Sequence, residues 1–205
     1  KHFKKTKMQM LLRGKNLVGY KEFDDSVISL FIKNAAKEGI HVYRIFDALN
    51  DVNNIKSSIE FVNREGKNSQ GTICYTTSPV HNEQYWLDVS KKIEDLGATS
   101  LAIKDMAGLL RPNTAYELIK KLKKNLKIPV HLHTHSTTGL ADATNFKAYE
   151  AGVDNIDTSI SSFSNLYAHT ATESFISMIY MEDENPFDMK SVSYTHLRAH
   201  ETVDY

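Results

Sequence analysis

The sequence predicts an α/β chain in which about six βα units follow one another, as in an incomplete (β/α)8 barrel. Three observations predict it. Short β-branched or apolar runs alternate with stretches of helical periodicity about every 25 to 35 residues, the spacing of βα units and of parallel sheets. Polar residues gather at the carboxyl end of nearly every run, and a barrel collects such ends on one face, whereas an open doubly wound sheet spreads them along a line. No Gly-x-Gly-x-x-Gly or Walker-type loop follows any strand, so a nucleotide-binding sheet lacks its usual support.

The strand runs are 8–14, 42–49, 70–77, 100–107, 130–135 and 155–161. Their terminal polar residues include Arg13, Asp47, Asn50, the Tyr75-Thr76-Thr77 run, Lys104, Asp105, His133, His135 and Asp157. Helical periodicity covers 24–38, 52–64, 82–96, 113–126, 141–150 and 170–180. Four of these helices run into Gly39, Gly66, Gly97 and Gly152, where a left-handed closing residue costs glycine little. Asp24 and Asn113 supply side-chain oxygens for the first exposed amides of their helices.

Composition narrows the function classes. Of the 205 residues 41% are hydrophobic, enough for one sizeable core and against wholesale disorder. Lys plus Arg and Asp plus Glu both number 25, so the formal net charge is zero. No overall field draws the surface to nucleic acid or anionic lipid, and a small neutral or anionic substrate fits better. Cys74 is the only cysteine, which excludes an intrachain disulfide and points to a reducing, cytoplasmic compartment. No apolar run approaches the length that spans a bilayer, and the basic start has no signal-peptide core behind it. Both ends read as artificial: the chain begins without Met, as a truncated gene fragment would, and 191–205, SVSYTHLRAHETVDY, resembles translated sequencing-adapter readthrough. That tail is set aside with its His196 and His200, which leaves 1–190 as one partial barrel domain.

Three motifs carry chemistry. In Val130-His131-Leu132-His133-Thr134-His135, alternation puts three imidazoles on one side of a strand, and two of them two residues apart at a strand end can share a divalent ion. The plainer reading is a polar lining of a barrel interior. In Ser100-Leu101-Ala102-Ile103-Lys104-Asp105-Met106-Ala107-Gly108, a lysine ends a buried-type strand and must be desolvated, paired or chemically altered. Burial lowers its pKa, and the neutral amine can take up CO2 as a carbamate, an anionic ligand beside two imidazoles. Pairing with Asp105 or snorkelling out of the strand end is the plainer alternative. In Leu11-Leu12-Arg13-Gly14, followed by Gly19-Tyr20, Arg13 offers bidentate donors to a carboxylate, or else an interstrand ion pair with Asp47 or Asp157. Cys74 has no adjacent charge to depress its pKa and suits packing.

The runs MLLRGKNLVGY, YRIFDALND, QGTICYTTSPVH, IKDMAGLL, HLHTHSTTG and IDTSISSFSNLYAHTATES resemble the carboxyltransferase domain of biotin-dependent enzymes. The alpha subunit of oxaloacetate decarboxylase and the carboxyltransferase subunit of two-subunit pyruvate carboxylases are the nearest in pattern, over 8–190. The resemblance implies a (β/α)8 TIM barrel that holds a divalent metal, Zn ahead of Co or Mn, on His133, His135 and carbamylated Lys104. His131 would sit deeper, and Arg13 and Tyr20 would contact the keto acid. Carboxyl groups would pass between carboxybiotin and pyruvate or oxaloacetate through a metal-stabilised enolate, with biotin on a partner carrier domain. A membrane decarboxylase subunit or a biotin carboxylase, and a homo-oligomeric parent, are further implied partners. Peripheral membrane contact through such a subunit is also implied. Ser136 and the 167–169 stretch tilt the pattern towards the decarboxylase. The alternative in the same superfamily is an acyl-CoA condensing or cleaving enzyme, such as an isopropylmalate synthase or hydroxymethylglutaryl-CoA lyase, which lacks a ligand lysine at the Lys104 position. The family's first two strands, with an aspartate ligand, and its later proton-shuttling threonine have no counterpart here. The chain alone is therefore expected to bind metal weakly and to show no turnover.

Overall fold

The computed structural model describes residues 5–180. Six strands, β1 (Met8–Leu12), β2 (Ile40–Phe46), β3 (Asn68–Cys74), β4 (Ser100–Asp105), β5 (Val130–Thr134) and β6 (Asn155–Ile156), form one parallel sheet in sequential order. Helices α1 (Asp25–Lys37), α2 (Val52–Arg64), α3 (Glu83–Asp95), α4 (Pro112–Asn125), α5 (Ala141–Glu150) and α6 (Thr172–Ile179) follow the strands in turn. A doubly wound sheet reverses its strand order at a switch point; this one never does. Right-handed crossovers that always advance the same way put every helix on one face, so the sheet is the arc of an incomplete (β/α)8 barrel.

Strand alternation then divides the residues between two environments. Tyr43, Ile45, Ile73, Leu101, Ile103, Val130 and Leu132 face the helices and are fully buried. The helices meet them with apolar residues at helical spacing, Ile55, Ile59 and Val62 on α2 and Ala115, Leu118, Ile119 and Leu122 on α4. Each fully buried Leu or Ile stabilises the fold by about 1.5–3 kcal/mol. The intervening residues, Arg44, Gln70, Thr72, Lys104, His131 and His133, are polar and lie on the concave face.

Every predicted strand and helix is present, with shorter strand ends. The first strand stops at Leu12 instead of 14, because a short 3-10 turn at Gly14–Asn16 begins there. Gly14 has φ +46, and a Cβ on it would lie 2.6 Å from the Asn54 carbonyl oxygen, so only glycine fits the turn. The sixth strand keeps two residues of the predicted 155–161; the chain rejoins the structure through a single bridge between Ser159 and Ala171. Asn113 is not the N-cap of α4: Arg111 occupies that position and Pro112 opens the helix, where its missing N–H is no loss. Asp24 does stand at the N-cap of α1 but its side chain makes no capping bond. Gly39, Gly66, Gly97 and Gly152 all have positive φ, as their places after helices require. The 191–205 tail lies outside the described residues.

Candidate functional site

β5 turns His131 and His133 inward, and both meet Asp157 just beyond β6. His131 Nε2 is 2.6 Å from Asp157 Oδ1, and His133 Nδ1 is 2.6 Å from Oδ2. Arg44, 2% exposed at the middle of β2, donates from Nη1 to Asp157 Oδ2 at 2.5 Å and from Nε to Gln70 Oε1 at 2.6 Å. Gln70 Nε2 lies 3.3 Å from His131 Nδ1 and closes the ring. The proton positions follow from what each group can do. A carboxylate accepts only, so the facing nitrogens, His131 Nε2 and His133 Nδ1, carry the hydrogens, and Gln70 donates to the free His131 Nδ1. The 3.0 Å contacts of Arg44 with those same two nitrogens are then close approaches, and the bonds run to the carboxylate.

Electrostatics agree with this assignment. Burial alone would raise the Asp157 carboxyl, but hydrogen bonds from His131, His133 and Arg44, with the guanidinium charge, hold it well below the usual carboxylate range. Burial lowers the His133 imidazolium to about 4 despite the opposing pull of Asp157, so the ring is neutral at pH 7. A neutral ring with its proton fixed at Nδ1 presents the Nε2 lone pair, and that atom is 3.2 Å from His135 Nε2. This is the carboxylate–histidine arrangement that orients metal-binding imidazoles, and the residues present fit a divalent ion. His169 brings a third ring to the same place: the ligating nitrogens of His133, His135 and His169 all lie within 4.8 Å of one another.

Lys104 stands on the same face as the direct register partner of His133 on one side and of Cys74 on the other. It is 5% exposed, with Nζ 4.9 Å from the centre of the Phe46 ring. Burial lowers its ammonium pKa; the Cys74 thiol opposes the shift, and Arg44 and Arg13 reinforce it. Lys104 opens into a pocket of about 510 Å³ at the mouth of the barrel, whose lining includes Arg13, Tyr20, Phe46, Asp47 and Met106. Arg13 lies 4.6 Å over the Tyr20 ring and donates to the Gly19 carbonyl at 3.5 Å.

Neither of the ion pairs considered for Arg13 and Lys104 forms among the described residues. Arg13 pairs with neither Asp157, which Arg44 holds, nor Asp47, which accepts from Leu49 N, Asp51 N and Asn54 Nδ2. Lys104 does not pair with Asp105, which faces the helices and accepts from Leu109 N at 2.8 Å, Leu110 N at 2.9 Å and Thr134 Oγ1 at 2.9 Å. The IKDMAG run therefore divides its labour. Lys104 faces the site, Asp105 ties the following loop to β5, and Gly108, at φ +66, packs where a Cβ would come 2.7 Å from the His135 carbonyl oxygen. Burial pushes the Cys74 thiol up to about 11, with Lys104 lowering it and Asp47 raising it, which suits packing over nucleophilic chemistry. Sequence reasoning missed Arg44, gave His169 no place at the site, and read Asp157 as a strand-end carboxylate or a partner for Arg13, not as the partner of Arg44 and the two histidines. A lone arginine between Tyr43 and Ile45 in a buried strand was the available signal for the first.

The HMGL-like family model matches residues 41–202. A pyruvate carboxylase subunit of Methanocaldococcus jannaschii is 46% identical over 176 residues, covering 86% of this chain and 31% of that protein. The methylmalonyl-CoA carboxyltransferase 5S subunit of Propionibacterium freudenreichii subsp. shermanii is also 46% identical over 176 residues, covering 85% and 35%. The chain thus spans about a third of the length of these curated relatives. The carboxyl transferase domain of Rhizobium etli pyruvate carboxylase, solved with pyruvate and biocytin, superposes with a TM-score of 0.89 at 36% identity, over 92% of this chain and 33% of that one. A barrel-ordered parallel sheet, an inward histidine ladder and a family match over most of the length converge: the chain belongs to the HMGL-like family and is homologous to the carboxyltransferase barrels of pyruvate carboxylases.

Proposed function

We propose that this chain carries the keto-acid half of a biotin-dependent carboxyltransferase site, serving carboxyl transfer between carboxybiotin and pyruvate or oxaloacetate. The observation that carries the proposal is convergence: Lys104 and His133 are register partners on adjacent strands, and Lys104 shares one pocket with Arg13 and Tyr20. A divalent ion, Zn ahead of Co or Mn, held by His133, His135 and carbamylated Lys104 would polarise the keto oxygen and stabilise an enolate. Burial of Lys104 favours the neutral amine, which forms the carbamate by adding CO2 and releasing one proton. Arg13, with no carboxylate partner among the described residues, offers two parallel donors to the substrate carboxylate, and Tyr20 backs the guanidinium. Asp157 and Arg44 are positioning residues: they keep the His133 proton at Nδ1, away from the ligating nitrogen.

Ser136 and the 167–169 stretch favour the decarboxylase branch, in which the carboxyl group leaves oxaloacetate. A biotinyl carrier, a membrane subunit or biotin carboxylase, a homo-oligomeric parent and a cytoplasmic location, with peripheral membrane contact through a partner, belong to the same proposal.

Pyruvate titration calorimetry on the zinc-loaded chain tests the reading without requiring turnover. Arg13→Lys should weaken pyruvate binding by about tenfold, the loss of one charge-assisted hydrogen bond. Lys104→Ala should abolish the enhancement of zinc affinity by bicarbonate. Pyruvate affinity indifferent to zinc and to Arg13→Lys would overturn it.

A further inference from the structure

We propose that Asn50 is a positioning residue for Lys104: its side chain stands in for a missing β2 residue beside Cys74 and so fixes the strand end against which Lys104 is set. The use of Lys104 as a metal ligand rests on the function proposed above, whereas the contacts that place its strand do not.

The two ladders that meet at β3 end at different heights. β2 stops at Phe46, opposite Thr72, while β3 stays paired with β4 for two residues more, through Ile73 with Ile103 and Cys74 with Lys104. Alternate residues of a parallel strand turn their backbone groups to opposite neighbours. Tyr75 N donates to the Lys104 carbonyl at 2.9 Å on the β4 side, so the N–H and carbonyl of Cys74 face the side that β2 has left. Backbone groups withdrawn from water need partners. Asn50 supplies both: its Oδ1 accepts from Cys74 N at 2.7 Å, and its Nδ2 donates to the Cys74 carbonyl at 3.0 Å. A carboxamide presents the same donor and acceptor as a peptide group, so Asn50 continues the ladder by one residue.

Asn50 reaches this place from a left-handed backbone, φ 62°, which asparagine adopts more readily than other residues with side chains. Its turn is closed by Asn50 N to the Asp47 carbonyl at 3.1 Å, and Asp47 Oδ2 accepts from Leu49 N at 2.9 Å and Asp51 N at 3.0 Å. On the other side, Asp47 Oδ1 accepts from Asn54 Nδ2 at 2.6 Å, and Asn54 Oδ1 accepts from Lys15 N at 3.2 Å. One turn thus braces the Lys104 end of β4 through Cys74 and the Arg13 end of β1 through Asn54. Those two ends carry the side chains that share the pocket of about 510 Å³.

The test compares the wild-type chain with Asn50→Gly, which keeps the left-handed backbone and loses both bonds, and with Val62→Ala, which loses buried packing on α2. Hydrogen exchange reads the Cys74 amide, competitive acetylation with peptide mass spectrometry reads the Lys104 amine against the other lysines, and urea unfolding reads global stability. In Asn50→Gly, Cys74 exchange and Lys104 acetylation should both rise by about 10- to 100-fold, the effect of two lost hydrogen bonds on local opening. In Val62→Ala both should rise no more than global unfolding dictates. The tightening of zinc binding by bicarbonate should shrink by about tenfold in Asn50→Gly. Zinc binding indifferent to bicarbonate in the wild type would overturn the metal role of Lys104 alone. A Lys104 acetylation rate in Asn50→Gly equal to that in Val62→Ala, at matched loss of stability, would overturn the proposal. So would rapid exchange of the Cys74 amide in the wild type, a reading that needs no variant to fold.

Discussion

Asp157→Asn removes one charge from the concave face and leaves its shape almost unchanged, so its two consequences can be separated. The first is stability. The Arg44 side chain is 3% exposed and Asp157 is its carboxylate partner, so the substitution leaves a buried guanidinium with amide and imidazole neighbours only. Removing one member of a buried ion pair costs about 3–5 kcal/mol. The Asp157 side chain is 23% exposed and asparagine keeps one oxygen for Arg44, which puts the expected loss near the bottom of that range, about 3 kcal/mol. The second is proton placement. If Arg44 keeps the asparagine oxygen at the Oδ2 position, the amide nitrogen takes the Oδ1 position and faces His131 Nε2, while His133 Nδ1 is left with a neutral amide oxygen shared with the guanidinium in place of a carboxylate, a weaker hold on the ring proton and on the ring's orientation. Zinc affinity should then fall by about 10- to 100-fold. Urea unfolding of the metal-free protein reads the first effect and zinc titration the second. The double variant Arg44→Met with Asp157→Asn should recover stability relative to the sum of the single changes, because it removes the orphaned charge. Unchanged stability and unchanged zinc affinity in Asp157→Asn would refute the network as the device that orients His133.

Gly108→Ala should cost about 1–2 kcal/mol from its positive φ alone, and more from the 2.7 Å approach to the His135 carbonyl oxygen, with zinc affinity falling alongside stability. A urea midpoint equal to wild type would show that this loop does not hold His135. Gly71→Ala brings a Cβ to 2.2 Å from Ile93 Cγ2, so overpacking of about 1–3 kcal/mol is expected, and the Ile93→Ala background should cancel most of it in a thermodynamic cycle. Burial and then Glu65 raise the Tyr43 phenol to about 12 from 10.0. Folding therefore favours the protonated phenol: the contribution is fully present below pH 10.0 and is lost as pH rises through about 12. Tyr43→Phe should flatten this alkaline loss, at a cost of about 1 kcal/mol at neutral pH for the bond to the Ile32 carbonyl. An alkaline unfolding midpoint unmoved by Tyr43→Phe would refute that assignment.

The parts of this fold legible in the sequence are those that local periodicity controls. His131, His133 and His135 alternate with Val130, Leu132 and Thr134, and a period of two admits only one sorting between barrel interior and helix side. The same rule applied strictly to β4 separates Lys104 from Asp105. Treating both as polar residues at a strand end hides that parity, and Asp105 turns out to be a structural clamp fully buried under the helices. Strand lengths were overestimated for a related reason. Apolar and β-branched residues continue past the last ladder pair, while a turn such as that at Gly14 is set by a close approach to Asn54 on another element, which local sequence does not encode.

What the sequence hid are the partners that only the closed arc brings together. Arg44 and Asp157 are separated by 113 residues, and nothing near either one names the other. A buried charge still demands a partner, so Arg44, between Tyr43 and Ile45, both fully buried, predicts that some carboxylate must reach the concave face of β2. In a parallel sheet ordered β1 to β6, a carboxylate at the far edge reaches across only if the sheet curves. The Arg44–Asp157 pair is thus a physical measure of barrel curvature. Both residues act on His133, so the same curvature that defines the fold also fixes the proton on the imidazole that the proposed chemistry requires.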